Sequence, residues 1–307
     1  MTEHRSRIAT PADLARLKQP LGDGSGPVPP ARRAKPALLE YAYLGHVRTA
    51  DERRLGDGDP DYLDRLAEVA EAEDWDGLDA TFPGEKQILR SYIQLTFERV
   101  QQQGEVRASP GDAYSAFNTG LSTPRQETIY GVFKHRMSGR QFHGWFEESA
   151  RIVLDNFPDL PDFAIYTKEP ADYMYDWQRE LKVNFRHVAE ENLARFPEAL
   201  QADPYGAELR LEAAVERARK RVRRNYKAAV PFWYPAQKQV QLLLPLSLLD
   251  AAGVDLALVV SRQGEYYRGH TALTIGMAYS NARLLARPDS DWLKPVATTH
   301  EVAHDAA

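Results

Sequence analysis

The chain has 307 residues with 39 lysines and arginines against 44 aspartates and glutamates, so its formal net charge is −5. It is long enough for one large domain or two small ones, and the negative charge disfavours a protein that coats nucleic acid, although a local basic face remains compatible with it. The absence of cysteine excludes a disulfide framework, a thiolate zinc site and a cysteine nucleophile, and it fits a cytoplasmic location.

Both ends of the chain are predicted to be tails. Residues 1–37 are rich in glycine and proline and hold few apolar side chains, so we expect them to be disordered. We expect one globular domain at 38–293 and a flexible tail at 294–307. HEVAH at 300–304 matches the H-E-x-x-H pattern of zinc proteases, but the surrounding sequence lacks the apolar face that would dock a helix. No metal site is therefore predicted.

The first part of the domain is predicted to be helical. Asp61 is placed to cap a helix that begins after it, and residues 86–103 carry apolar side chains at helical spacing. Asp57, Asp59 and Asp61 resemble the start of a calcium loop. That loop needs glycine at its sixth position, where this chain has Tyr62, so we favour a helix.

Strands and helices alternate through the rest of the chain. Strands are predicted at 107–121 with an internal turn, 163–168, 181–185, 239–249 and 254–275, the last as a hairpin turning at Gln263 and Gly264. Residues 127–136 read as a strand or a short helix. Helices are predicted at 187–196, 205–230 and 276–288. This order indicates an α+β or mixed α/β fold, in which helices flank a central mixed sheet.

The apolar run near residues 240–260 is long enough for a membrane span, but its composition does not fit one. Pro245, Asp250, Gly253 and Asp255 interrupt it, so it predicts buried strands, and we expect no contact with a membrane.

One helix carries an unusual concentration of positive charge. Its cations group on two neighbouring faces, and Tyr226 adds an aromatic ring. The cations proposed to contact nucleic acid are Arg217, Lys220, Arg221, Arg224 and Lys227. The alternative is a solvated face, because cations near a helix C-terminus are also favoured by the helix dipole.

Two stretches place polar residues among apolar ones. The first, FNTGLSTPRQETIYGVF, contains Asn118, Thr119, Gly120 and Gln126, and the second, MAYSNARLLA, contains Tyr279, Asn281 and Arg283. Amide and guanidinium groups can read bases and clamp phosphate, so these seven residues are the candidate ligand pocket. Structural hydrogen-bond networks use the same groups internally, and that alternative stays open.

The chain resembles the DUF3825 family over roughly residues 38–293. The resemblance rests on ordered blocks that include ILRSYIQLTFERV, FNTGLSTPRQETIYGVF, NYKAAVPFWYP, VQLLLPLSLL and MAYSNARLLARPDSDWL. Related proteins sometimes join this domain to cold-shock or other nucleic-acid-binding modules, which implies RNA or nucleotides as ligands. The resemblance supplies no catalytic residues and no cofactor.

Three functional hypotheses follow. The leading one is a protein that binds a nucleotide or single-stranded RNA through the polar pocket and the basic helix. The second is an enzyme acting on a nucleotide or phosphate ester, with proton transfer by Asp176, His187, Glu191 or Asp255. The third is a non-catalytic scaffold, which predicts that the polar residues form closed internal networks.

Overall fold

The computed structural model describes residues 35–48, 52, 58–76, 86–250, 253–288 and 292–293. The predicted N-terminal tail, apart from residues 35–37, and the predicted C-terminal tail with its HEVAH stretch lie outside these ranges, as does Asp57. The predicted domain limits at 38 and 293 stay predictions.

Helices occupy much of the described chain. They are α1 (Ala37–Tyr41), α2 (Tyr62–Val69), α3 (Gln87–Gln103), α4 (Arg151–Asn156), α5 (Phe185–Asn192), α6 (Glu198–Gln201), α7 (Pro204–Arg224) and α8 (Ile275–Arg283). Short 3-10 helices lie at Pro170–Tyr173, Leu193–Arg195 and Tyr226–Ala228. Asp61 caps α2 as predicted, in a reciprocal capping box with Asp64.

The strands form two sheets. They are β1 (Arg107–Ala108), β2 (Tyr114–Ser122), β3 (Thr128–Arg136), β4 (Gly139–Glu147), β5 (Glu180–Lys182), β6 (Val230–Tyr234), β7 (Gln239–Leu246), β8 (Leu256–Gln263) and β9 (Tyr266–Thr274). The first sheet has the antiparallel order β1-β2-β3-β4, and the second has the order β5-β9-β8-β7-β6, with β5 parallel to β9.

The α+β class is confirmed, with the β-structure divided between two sheets. The division follows from local pairing. β1–β4 are consecutive in the chain and pair as neighbours, and so do β6–β9, so each set closes its own sheet.

The second sheet is buried on both faces. Along β7, Leu243 belongs to the core that includes α3 and α8, whereas Leu242 and Leu244 belong to the core formed with α5 and α7. Successive strand residues point to opposite faces, so a strand covered on both sides reads as a continuous apolar run. Burial on both faces explains why the leucine-rich run forms a strand. Among the described residues, no helix is long and apolar enough to cross a membrane.

The predicted strand at 163–168 is wrong. This segment is irregular, and the side chains of Phe163 and Ile165 are 60% and 41% exposed. Helix α3 supplies the hydrogen bonds that a sheet would have provided. Nε of Arg99 donates to the Ile165 carbonyl at 2.9 Å, and the Ile165 amide donates to Oε1 of Gln103 at 3.1 Å. Side chains of α3 thus provide hydrogen-bond partners for the Ile165 amide and carbonyl, and no pairing with a neighbouring strand is needed.

Helix α7 ends earlier than predicted. It stops at Arg224, where Asn225 adopts an extended backbone conformation and its side chain accepts a hydrogen bond from the Lys227 amide at 3.1 Å. Lys227 and Tyr226 therefore lie in a 3-10 turn beyond the helix, so Lys227 does not share a helical face with the other predicted cations.

Candidate functional site

The predicted residues on β2 satisfy an irregularity in the first sheet. The β2–β3 register shifts between Asn118 and Ser122, and Gly120 lies there with φ +70°. The Asn118 side chain accepts from the Gly120 amide at 2.9 Å, and the Thr119 hydroxyl donates to the Ile129 carbonyl at 2.6 Å. Asn118 and Thr119 are both buried. Their side chains replace ladder bonds that the irregularity removes.

Two of the predicted residues on α8, Tyr279 and Arg283, bind the buried carboxylate of Glu73. Nε of Arg283 donates to both carboxylate oxygens of Glu73, at 2.7 and 2.9 Å, and the Tyr279 hydroxyl donates to the same carboxylate at 3.2 Å. The guanidinium lies 5.0 Å from the ring centroid of Trp75 and 4.8 Å from that of Tyr92. Burial lowers the pKa of Arg283, but the hydrogen bonds to Glu73 and the neighbouring charges of Tyr92, Glu73 and Tyr279 together outweigh burial and raise that pKa.

Tyr92 connects the two predicted stretches. Its ring lies against Arg283, and its hydroxyl donates to the Thr119 carbonyl at 2.9 Å. Burial raises the pKa of this hydroxyl, so it stays a donor. Gln126, which is exposed, donates to Glu71 instead.

Most of the seven predicted pocket residues thus lie in one connected region and bond to groups inside the protein. Asn281 lies half-buried on α8. Ligand binding by this set stays a prediction.

The predicted cations of α7 divide into two kinds. Nη2 of Arg217 donates to the Ser247 carbonyl at 2.7 Å, so it holds the turn after β7. Arg221 is half-buried, and Lys220 and Arg224 are exposed. The exposed pair keeps its charge in solvent, where a phosphate could reach it.

Exposed aromatic rings lie beside these cations: the sequence indicated Tyr226, but it did not indicate Trp177 or Tyr173. The Trp177 side chain is 45% exposed, and the Arg223 guanidinium lies 4.7 Å from its ring centroid. Tyr226 and Tyr173 are 65% and 37% exposed. The aromatic-rich segment 173–177 was visible in the sequence, but its position against α7 depends on tertiary packing.

A cavity of about 320 Å³ lies where α7 ends. Aromatic side chains, an apolar floor and two cations line it: Tyr173, Met174, Tyr226, Lys227, Ala229, Val230, Pro231, Ala282, Leu285, Ala286, Arg287 and Pro288. We use the name aromatic–cation surface for this cavity together with Trp177, Arg223, Lys220 and Arg224. An apolar floor with aromatic rings and cations can stack a base and contact its phosphate.

The residues suggested for proton transfer serve local structure. Asp255 accepts from the Leu248 amide at 2.6 Å, and Asp176 pairs with Arg179 at 3.0 Å. His187 and Glu191 lie 3.4 Å apart on one turn of α5. Their roles in catalysis stay predictions.

A Ser-His-Asp hydrogen-bond chain occurs in the first sheet. Nε2 of His135 lies 2.9 Å from Oγ of Ser115, and its Nδ1 lies 3.0 Å from Oδ1 of Asp112. This order is that of a catalytic triad. However, Ser115 is 1% exposed and accepts from the Tyr41 hydroxyl at 2.8 Å, so its oxygen faces a protein group rather than a substrate. Within the described ranges, no group of three or more His, Cys, Asp or Glu residues could hold a metal ion.

Comparison with known proteins identifies the family. The family model described as "Domain of unknown function (DUF3825)" matches residues 66–292, and the chain belongs to this family. No curated protein and no solved structure matches the chain. The match includes helix α7 and all lining residues of the cavity at its end.

Proposed function

We propose that this DUF3825 protein binds single-stranded RNA, or the nucleotides of which it is made, through the aromatic–cation surface. The observation that supports this most directly is the cavity where Tyr173 and Tyr226 meet Lys227 and Arg287 over an apolar floor. The proposal includes the cytoplasmic location expected from the sequence.

The rings provide stacking platforms. Tyr226 and Trp177 are large, exposed aromatic residues, which the hydrophobic effect alone would bury. Base stacking on such a ring contributes about 1–3 kcal/mol and accepts any base, because every base has a π-face. This favours a single strand, whose bases are free to stack, over a duplex.

The cations provide phosphate contacts. Lys220 and Arg224 are exposed on the last turns of α7, and Arg223 lies against the Trp177 ring. Because the whole chain carries a net charge of −5, this local concentration of positive charge is not explained by composition. Cations interleaved with aromatic rings are typical of surfaces that follow a single-stranded backbone.

Binding is favoured over catalysis. The Asp255 carboxylate accepts a hydrogen bond from the Leu248 amide, and Asp176 forms an ion pair with Arg179. The Glu73 carboxylate is bound by Arg283 inside the protein. A general base must reach the proton that it abstracts. The closed network around residues 118 and 283 also agrees with what a non-catalytic protein would contain.

The test is fluorescence anisotropy of a short labelled RNA at ~50 mM salt. We expect Tyr226→Ala to weaken binding about tenfold or more, and Tyr226→Phe to retain it, because stacking needs the ring and not the hydroxyl. Tyr205→Ala is the matched control, since Tyr205 is 70% exposed near the other end of α7 and should leave affinity unchanged.

Two outcomes would contradict the proposal. One is the absence of RNA binding by the wild-type protein at ~50 mM salt, and the other is equal affinity of the wild type and Tyr226→Ala. Mononucleotide and duplex RNA serve as competitors. Displacement by the mononucleotide at similar concentration would identify a nucleotide site, whereas displacement only by single strands would identify an extended RNA surface.

A further inference from the structure

The second sheet opens into a fork between two adjacent strands. Pairing of β7 with β8 stops at Leu242 and Val260. On their outer sides both strands continue, since β7 pairs with β6 as far as Gln239 and β8 pairs with β9 as far as Gln263. The two strand ends therefore diverge, and the main-chain groups that face the gap make no ladder bonds to the opposite strand.

A cavity of about 430 Å³ lies at this fork, larger than the cavity at the end of α7. Both strand ends and the segment that crosses them line it: Tyr166, Thr167, Asp172, Lys238, Gln239, Val240, Arg262 and Gly264. The volume is enough for a small polar molecule.

One cation lies on or next to each of the two strands that form the fork. Lys238 immediately precedes β7, and Arg262 lies near the end of β8. Both side chains are exposed, and in the described part of the chain neither forms an ion pair or a hydrogen bond. The acidic residue of the cavity, Asp172, accepts from the Thr167 hydroxyl at 2.7 Å. The cavity lining therefore carries the two exposed positive charges of Lys238 and Arg262 against the single negative charge of Asp172.

The backbone holds Lys238 in an uncommon conformation. Its φ is +51°, in the left-handed region that lysine rarely adopts, and its amide donates to the Pro235 carbonyl at 3.2 Å. A tight turn thus places this cation beside the fork rather than leaving it on a free loop. Strained backbone positions cluster at ligand sites, although strain alone does not identify one.

We propose that the fork between β7 and β8 binds a phosphoryl group of a small ligand. The Arg262 guanidinium offers a planar set of N–H donors that matches a phosphate, and the Lys238 ammonium adds a compact positive charge from the start of β7. The Gln239 side-chain nitrogen donates one N–H to Oε1 of Gln237 at 2.6 Å, and its second N–H supplies a further polar contact. The fork shares no lining residue with the aromatic–cation surface, so this inference does not rest on the proposed RNA binding.

The experiment is isothermal titration of the full chain with inorganic pyrophosphate, a nucleoside 5′-diphosphate and citrate, at constant ionic strength. We expect saturable pyrophosphate binding, weakened at least tenfold in Arg262→Gln and in Lys238→Asn. Asparagine tolerates positive φ, so Lys238→Asn removes the charge and keeps the turn. Arg136→Gln, at the exposed end of β3 in the first sheet, is the matched control and should bind as the wild type does.

The outcomes are distinct. Tighter binding of the nucleoside diphosphate than of pyrophosphate identifies a nucleotide as the source of the phosphoryl group, and the reverse order identifies an inorganic phosphate. Citrate binding as tight as pyrophosphate binding would overturn the phosphoryl assignment. Absence of saturable binding, or wild-type affinity in the Lys238→Asn/Arg262→Gln double variant, would overturn the site. Loss of pyrophosphate binding in Tyr226→Ala would place the anion on the aromatic–cation surface and also overturn it.

Discussion

Arg283 donates from Nε to both carboxylate oxygens of Glu73, a residue 210 positions earlier in the chain, at 2.7 and 2.9 Å. The two side chains are only 10% and 4% exposed. The pair joins the segment before α3 to α8, and Tyr279 completes it with a third hydrogen bond. Because both charges are buried, removal of either partner would leave the other buried without a counter-ion.

Removal of one partner should destabilise the protein strongly. We expect Glu73→Ala to lower the free energy of unfolding by about 3–5 kcal/mol, because it leaves the Arg283 guanidinium buried without its counter-ion. Urea denaturation measures this. In the control, Glu190→Ala removes the partner of the exposed Arg186 and should cost at most about 1 kcal/mol. Equal losses in the two variants would contradict the role assigned to the Glu73 pair.

Gly120 should be intolerant of a side chain for two separable reasons. Its φ is +70°, and a Cβ atom there would lie 2.7 Å from the Tyr92 hydroxyl. Gly104 has a similar φ of +76° with nothing within 4 Å, so Gly104→Ala measures the backbone cost alone, about 1–2 kcal/mol. We expect Gly120→Ala to cost more, by thermal or urea unfolding. Tyr92→Phe in the same chain should recover part of the excess, and no recovery would contradict the steric explanation.

The salt dependence of RNA binding should report the exposed cations of α7. For a single strand, the slope of log K against log salt is about −0.7 for each phosphate contact. The Lys220→Gln/Arg224→Gln double variant should therefore reduce the slope by up to about 1.4. Arg186→Gln, a side chain 76% exposed on α5, serves as the control with an unchanged slope. An unchanged slope in the double variant would show that these cations make no phosphate contact.

Stability should fall at alkaline pH. Burial, followed by the neighbouring charge of Glu73, raises the pKa of Tyr279 from 10.0 to about 12. The folded state thus holds this proton more tightly than the unfolded chain. Its contribution to stability is complete below pH 10 and is lost as the pH rises towards about 12. Tyr279→Phe should show a smaller loss of stability over this pH range in urea titrations. An equal loss in wild type and variant would contradict this assignment.

Local elements were largely predictable from the sequence. The apolar spacing of residues 86–103 predicted α3, the glycine after Gln263 predicted the β8–β9 hairpin, and the ordered blocks identified the family that the comparison then matched. These features depend on side-chain periodicity and turn chemistry within a few residues, which the chain carries without reference to the rest of the fold.

Tertiary packing decided where the polar residues point. Nothing near Arg283 in the sequence indicates Glu73, and nothing near residue 165 indicates that Arg99 and Gln103 would satisfy its backbone and prevent a strand. The fork between β7 and β8 likewise depends on where two ladders stop. The chain by itself therefore determined five of the helices in its described part (α2, α3, α5, α7 and α8), most of its strands there and its family; the short helices α1, α4 and α6 were not predicted. Packing over long separations decided the network partners and both cavities, because a buried polar group is satisfied by whichever partner the assembled core brings within hydrogen-bond distance.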